Sequence, residues 1–531
     1  MEKINIKNIP LEKLRFADPG RRTGDKKFDT KPMSYAKDVF RRFCKNKSSV
    51  VAAIIIFLLV LFAIFVPIFC ETTYSLSLTD TAYLQYRNLL PKSEFLSQYG
   101  IWDGAKDKTV NENQYNIYRA LETETGETVM VEVYGDPYKE DMRTYYDVRV
   151  DSYVANGMQF IDLTLEQFKD IQKWQNETGV QVIFPAVDTT LKDKQGKDMI
   201  AAAKKGDANV WYATTGNGYP KVTNSGNFTN CYANKNSDRF KGTLYTSEYY
   251  NYDSLRIEGD NGDYLYALVS ATRVNDKVIT SYKVRVLLDN YFQYRYGHEA
   301  SFLFGTNQKG QDILTRLAAG ARFSLVLAIC ISAINLFIGA MYGAIEGFYG
   351  GAVDMIMERI SDILGGMPSM VVMSLFQLHL AAKVGPVWSM VFAFVLTGWL
   401  GMAARTRMQF YRFKHQEYVL SARTLGASDR RLIFKHIFPN AMGTLITGSV
   451  LSIPGVIFSE SSLTYLGIVN LESSTQTSVG TLLSNGNGVL KTYPHIILFP
   501  ALFISLLEIS FNLFGNGLRD AFNPSLKGIE D

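Results

Sequence analysis

Residues 50–69 read VVAAIIIFLLVLFAIFVPIF, an unbroken run without a single charge. At 1.5 Å of rise per residue such a run crosses the roughly 30 Å hydrocarbon core of a bilayer as one helix. A secretory signal would have a shorter apolar stretch, an earlier start and a small-residue cleavage pattern after it. The stretch therefore predicts a permanent membrane span. Five more apolar runs follow, at 323–345, 363–382, 384–404, 437–458 and 496–514. Only Lys383 separates the third span from the fourth, and Gly385-Pro386 just beyond predicts a tight helical hairpin. Pro454 and Glu508 interrupt the fifth and sixth, but proline and glycine are tolerated in spans whose neighbours re-satisfy the backbone. The predicted fold class is an α-helical membrane protein with six transmembrane helices and an inserted extracellular α+β domain.

That reading is hidden in the averages. The 531 residues are 47% hydrophobic and 20% charged, with a mean hydropathy of −0.02. These values exclude a disordered, collagen-like or disulfide-rich chain and resemble a large soluble protein. The two halves of the average differ sharply, however. Residues 71–297 hold 25 Lys+Arg against 31 Asp+Glu, and 24 of the 31 tyrosines. The rest of the chain holds 30 basic and 20 acidic residues.

Basic residues in short loops set membrane orientation. The 1–49 arm carries 14 Lys+Arg and six acids. With an even number of spans it shares a side with 346–362, 405–436 and 515–531, and that side totals 25 Lys+Arg against 5 on the other, the long block aside. Both termini and the 405–436 loop are thus expected in the cytoplasm, and 71–297 outside. The expected domains are the 1–49 arm, the 50–69 span, the 71–297 insert and a 298–531 core with five spans. Of the four cysteines only Cys70 and Cys231 could meet on the oxidising side, and nothing in the sequence pairs them.

The 71–297 block is long enough to fold on its own apolar core. Strand-like alternation occurs at 129–134, 146–153 and 181–187, with a hairpin pattern at 264–274 and 278–288 around Asn275-Asp276. Helix patterns occur at 165–175 and 198–205. Thr164 and Gln167 have the capping-box spacing at the start of the first. Residues 214–236, rich in Gly, Asn, Thr and Ser, read as a loop. A polar-rimmed binding face and an ordered spacer are both compatible with the block.

No nucleotide-binding phosphate loop occurs. Gly305 and Gly310 have its glycine spacing, but Gln311-Asp312 follows where lysine and a hydroxyl residue are needed. The five histidines, His298, His379, His415, His436 and His495, lack metal-ligand spacing, and no catalytic motif appears. An enzyme reading has little support, and no cofactor or metal is expected in this chain.

The informative stretch is 417–440, EYVLSARTLGASDRRLIFKHIFPN. It reads as a short helix at the membrane surface, with Ser421, Ala422 and Ala427 around Gly426, Glu417 and Arg423 flanking, and Pro439 at the start of the fifth span. Small side chains on an exposed helix allow close docking into a partner's groove. A basic juxtamembrane loop obeying the positive-inside rule is the plain alternative.

The same stretch resembles the cytoplasmic loop of permease subunits of ABC importers, and its peptide branch in particular. Glu417, Tyr418, Val419, Ala422, Arg423, Leu425, Gly426, Ala427 and Ser428 agree with that branch, whereas Leu420, Ser421, His436 and Phe438 depart from the broader family pattern around Pro439. The stretches 304–325, 354–368, 460–467 and 512–524 are similar to further motifs of the branch, with Asn307 and Gln311 departing. The resemblance covers 298–531 nearly throughout, together with the first span, and is to the second, C-type permease subunit of oligopeptide and dipeptide importers. It does not extend to 71–297.

The resemblance implies a type I importer permease fold. It implies a second permease subunit, two cytoplasmic ATPase subunits binding ATP and magnesium, an extracellular solute-binding protein or lipoprotein, a peptide substrate, surrounding lipid and no nucleic acid. The segment Glu417, Tyr418, Ser421, Ala422, Arg423, Leu425, Gly426, Ala427, Ser428 and Pro439 would couple to an ATPase. An importer of nickel or another small solute shares these motifs. A membrane receptor with an outer sensing domain is the reading from another class. Gly339, Gly343, Gly365, Gly366 and Gly448 are expected to serve helix packing. Glu508 faces a cavity or pairs near the inner end of its span.

Overall fold

The computed structural model describes residues 35–70, 85–188, 201–202, 208–209, 251–258, 264–274, 277–473 and 476–522. The 214–236 loop, Asn275-Asp276 and the side chains of Cys70 and Cys231 lie outside the described residues. Cys44 and Cys330 are free and exposed.

Helix α1 (Tyr35–Lys45) leads into α2 (Lys47–Cys70), the first span. α3 (Glu94–Ser97), β1 (Ala105–Asn111), α4 (Glu112–Thr125), β2 (Met130–Glu140) and β3 (Arg143–Asp151) follow. The three strands form an antiparallel sheet in the order β1-β3-β2. A second sheet runs β4 (Met158–Leu163), β10 (Lys277–Leu287), β9 (Tyr264–Val274), β8 (Asn251–Glu258), with β5 (Ile183–Phe184) also pairing β10. β9 and β10 pair antiparallel from Val274 opposite Lys277, as the hairpin pattern predicts. Helix α5 (Leu165–Thr178) begins with a capping box. Thr164 accepts from the Gln167 amide, and the Gln167 side chain accepts from the Thr164 amide. The helix predicted at 198–205 is not observed where the chain is described. Ala201–Ala202 is a short strand, β7, paired with β6 (Val187–Asp188), and cross-strand pairing overrides the alanine run's helical preference. Within the 181–187 run only Ile183, Phe184 and Val187 are in strands, the last forming β6 with Asp188 just beyond it.

The two sheets share a core in which Val110, Leu121, Val148, Val150, Met158, Phe184 and Leu287 pack together. Arg285, 1% exposed, crosses it to form a two-point ion pair with Glu124, at 2.6 and 2.9 Å. Helix α6 (Leu288–Tyr296) then returns the chain to the membrane. There Tyr86, Leu89, Tyr153, Leu288, Phe292 and Phe302 form a plug beneath the sheets. Trp102 and the Phe304–Phe499 stack, 4.0 Å between centroids, join it to the helices.

The membrane part resumes with α7 (Ile313–Tyr349), whose amino end is capped by Asp312. α8 (Gly351–Gly365) and α9 (Ser369–Val384) are bent by 72° across Gly366–Pro368, so the third predicted span is broken. α10 (Pro386–Gly398) and α11 (Leu400–Phe413) form the fourth, entered through the expected tight turn, where Gly385 has φ +87° and Pro386 opens the helix. α12 (Glu417–Thr424) and α13 (Asp429–Arg431) precede α14 (Phe438–Tyr465). α15 (Val479–Asn487) and α16 (His495–Phe522) complete the described residues. Among the described residues five helices are long and apolar enough to span, or six when the bent pair is one span. Pro454 and Pro500 sit inside continuous helices.

α7 is the central post. Within lipid there is no hydrophobic drive between helices, so close contact and dispersion must hold them. Gly339, Gly343 and Gly347, four residues apart on one face of α7, lie against α11. A Cβ at Gly339 would meet the Trp399 carbonyl at 2.6 Å, one at Gly347 the Phe410 Cβ at 2.7 Å, and one at Gly343 the Ala403 carbonyl. Gly448 likewise faces Arg405. Gly365 and Gly366 have no such close contact and mark the bend instead.

Two predictions follow from this architecture. Alanine ordinarily stabilises a helix by about 0.5–1 kcal/mol over glycine. Gly343→Ala should reverse that sign and lower the melting temperature of the detergent-solubilised chain, whereas Gly401→Ala, with open space around it, should not. In the sheet-bearing segment, burial pushes Asp289 up to about 7, with Asp151, Glu299 and Glu127 adding to the effect and Lys92 opposing it. The folded state then holds a proton that the unfolded chain releases, so stability falls as pH rises from about 4 to 7 and is flat above. Hydrogen exchange at β4 and β10 should report this slope, and Asp289→Asn should remove it.

Candidate functional site

The 417–440 stretch forms a helix, a sharp turn and a re-entry into the membrane. Val419, fully buried, anchors α12 on Phe348, Phe410, Leu432, Ile433 and Ile437. α12 stops after one further turn for a geometric reason. The Gly426 amide donates to the Arg423 carbonyl at 2.9 Å and the Ala427 amide to the Ala422 carbonyl at 3.1 Å. This pair of bonds is a Schellman cap, which needs a left-handed residue at the turn, and Gly426 has φ +81°. Nothing lies within 4 Å of where its Cβ would be. Its glycine is thus required by backbone conformation, a reason separate from the close docking that the small residues around it would allow. Ala422 and Ala427 supply the apolar contact beneath the cap.

Ser428 precedes α13, and one π turn spans Leu432–Ile437. Pro439 has no amide proton to continue a regular ladder and stands in the first turn of α14, where the sequence puts it. The Asn440 amide donates to the Tyr418 hydroxyl at 3.1 Å, tying α12 to α14, and the Arg423 guanidinium stands 5.7 Å from the Phe348 ring.

The outward face of α12 and its turn carries Glu417, Tyr418, Leu420, Ser421 and Leu425, all exposed, with Leu425 at 88%. An exposed leucine at the apex of a fixed turn, beside polar groups, is the composition of a small docking surface.

The predicted loop begins too early. Arg405–Phe413 continues as α11, and the chain leaves the helix only at Lys414. Arg407 explains this. Its guanidinium makes two-point contacts with both Asp354 (2.6 and 2.8 Å) and Glu358 (2.9 and 3.0 Å), with Glu346 at 3.5 Å. The Tyr411 hydroxyl also donates to Asp354, at 2.6 Å, and Lys414 donates to the Gly347 carbonyl. This clamp fastens α8 to α11 directly above α12. Asp354 and Glu358 share a helix face by their four-residue spacing, the one trace of it in the sequence.

Glu508 is half-buried on α16, where its carbonyl accepts from Asn512. Among the described residues no group of three or more His, Cys, Asp or Glu side chains gathers as a metal site.

Two family models match the chain: the binding-protein-dependent transport system inner membrane component over residues 335–528, and the N-terminal TM domain of oligopeptide transport permease C over 34–91. The first contains the 417–440 stretch, and both leave the sheets outside. The oligopeptide transport system permease protein OppC of Bacillus subtilis is 42% identical over 224 residues, covering 42% of this chain and 72% of that one. The dipeptide transport system permease protein DppC of the same species is 38% identical over 229 residues, 43% of this chain and 70% of that one. OppC of Escherichia coli is 34% identical over 227 residues, 43% and 73% respectively. With spans, loop and relatives in agreement, this chain belongs to the inner-membrane components of binding-protein-dependent transport systems, as a multi-pass permease subunit of the OppC and DppC type and not itself an enzyme.

Proposed function

We propose that this permease subunit carries oligopeptides inward across the cell membrane, together with a second permease subunit and two ATPase subunits that bind ATP and magnesium. The names of its relatives support the peptide substrate. In this reading α12 is the coupling helix. Tyr418, Leu420, Ser421 and Leu425 enter a groove on one ATPase subunit, while Glu417, Arg423 and Ser428 frame the contact. Val419, Ala422 and Ala427 hold the helix on its base, Gly426 fixes the turn, and Pro439 starts the span that receives the motion. The observation that carries this is the exposed Leu425 on a rigid cap, braced by the Arg407 clamp. Closure of the ATPases then moves α11 and α14 as a rigid body.

The count of basic residues supports cytoplasmic ends and an external 71–297 insert. The aromatic plug fastens the insert over the outer ends of α7 and α16. It either docks a solute-binding protein or lengthens the vestibule through which peptide arrives.

Leu425→Asp should leave the subunit assembled in the membrane and lower binding-protein-stimulated ATP hydrolysis about tenfold, the effect of losing one anchor residue. Hydrolysis at the wild-type level would remove α12 from the coupling role. Gly426→Ala places a side chain at a left-handed position at a cost of about 1 kcal/mol and should weaken coupling less. Excising 105–287 behind a short linker keeps every plug residue except Tyr153 and should weaken binding-protein affinity or uptake. If neither changes, the insert has no part in delivery.

A further inference from the structure

Between α7, α11 and α14 lies a cleft of about 330 Å³. Its wall carries Ser332, Asn335, Arg405, Ser452 and Ser459, an unusual density of polar groups between helices that read as spans. Two of them stand out. Asn335 is only 9% exposed, yet its side-chain oxygen has no hydrogen-bond partner among the described residues. A buried amide oxygen left in that state is costly unless something donates to it. Arg405 has no carboxylate partner among the described residues, and one of its terminal nitrogens donates to the Gly448 carbonyl at 3.3 Å.

The direction of Arg405 matters. An arginine near the inner end of a span ordinarily extends towards the nearer water. Arg405 instead reaches Gly448, ten residues into α14 from Phe438. At 1.5 Å per residue that is about 15 Å along the helix from its inner end. A guanidinium held at such depth signals a water-filled cavity or a ligand. Ser452 donates to Ser332 at 3.2 Å, and Ser459 lies further along the same face of α14. A hydroxyl-lined track thus continues from Arg405 towards the outer side.

We propose that this cleft is a peptide-contact site of the passage. The Asn335 oxygen accepts a backbone N–H of the peptide, and Arg405 pairs with its terminal carboxylate. The assignment rests on the peptide-importer reading and adds the residues that touch the cargo. Asn335 takes the donor that every peptide bond offers, whatever the side chains. Arg405 takes the one charge that every unmodified peptide carries at its carboxyl end. The pair therefore suits a carrier of many sequences.

The test uses the complete transporter in proteoliposomes with its binding protein. Arg405→Gln and Asn335→Ala should each lower the maximal rate of peptide uptake about tenfold, the effect of losing one charged or buried contact. Binding-protein-stimulated ATP hydrolysis should persist, and Arg405→Lys should recover most of the uptake. A role in packing alone would lower uptake and hydrolysis together, and that result overturns the proposal, as does unaltered uptake. Ser452→Cys gives a second readout in a chain otherwise free of cysteine. A small water-soluble thiol reagent should label it, and transported peptide should protect it. Absence of labelling, or labelling indifferent to peptide, overturns the cleft. If the wild-type assembly carries no peptide, the importer reading fails, and the cleft with it. If it carries peptide while the variants match it, only the cleft fails.

Discussion

The close approach of α7 and α11 is the constraint on which the rest depends. Lipid tails are as apolar as leucine, so two helices gain little from hiding apolar surface against one another. What they can gain is dispersion and backbone proximity, and both demand small side chains at the crossing. Gly339, Gly343 and Gly347 provide it on α7, with the backbone of Trp399, Ala403 and Arg407 on the other side. This crossing fixes the register of α11, and register decides where each arginine of that helix goes. Arg407 falls on α8 and becomes a clamp. Arg405, two residues earlier, falls on α14 and lines the cleft.

The same pair joins the two ends of the mechanism. Phe348 and Phe410, at the last of the glycine contacts, form the base on which Val419 seats α12. A displacement of α12 is therefore passed to helices already packed at backbone distance and cross-linked by charge. The cleft stands on the same helices. The proposed coupling surface and the proposed peptide-contact cleft thus share one packed element, to which the sheet-bearing segment is fastened through Trp102, Phe304 and Phe499.

Much of this was legible in the sequence, and what was not had definite causes. The spans were legible because twenty apolar residues have few other uses. The Thr164–Gln167 cap was legible because both partners lie within one turn. The 417–440 stretch could be found from its residues, but the conformational reason for Gly426 could not, because a left-handed φ is a property of the turn and small size alone pointed to docking. The loop boundary at 405 was misplaced because counting basic residues does not see that Arg407 is neutralised by Asp354 and Glu358, some fifty positions away. Asn335 and Arg405 were invisible for a related reason. Their meeting depends on the register of three helices, which no local pattern encodes. At Ala201–Ala202 a helix-prone run yields to strand pairing, a tertiary effect of the same kind.

The central claim is that α12, α7 and α11 move as one body during the transport cycle. Pulsed electron-spin distance measurement between labels at Cys330 on α7 and Thr424→Cys at the end of α12, in an assembly otherwise free of cysteine, tests it most directly. One distance is expected, the same with and without ATP, while the distance from position 424 to the partner permease subunit changes. A Cys330-to-424 distance that shifts with nucleotide would contradict it.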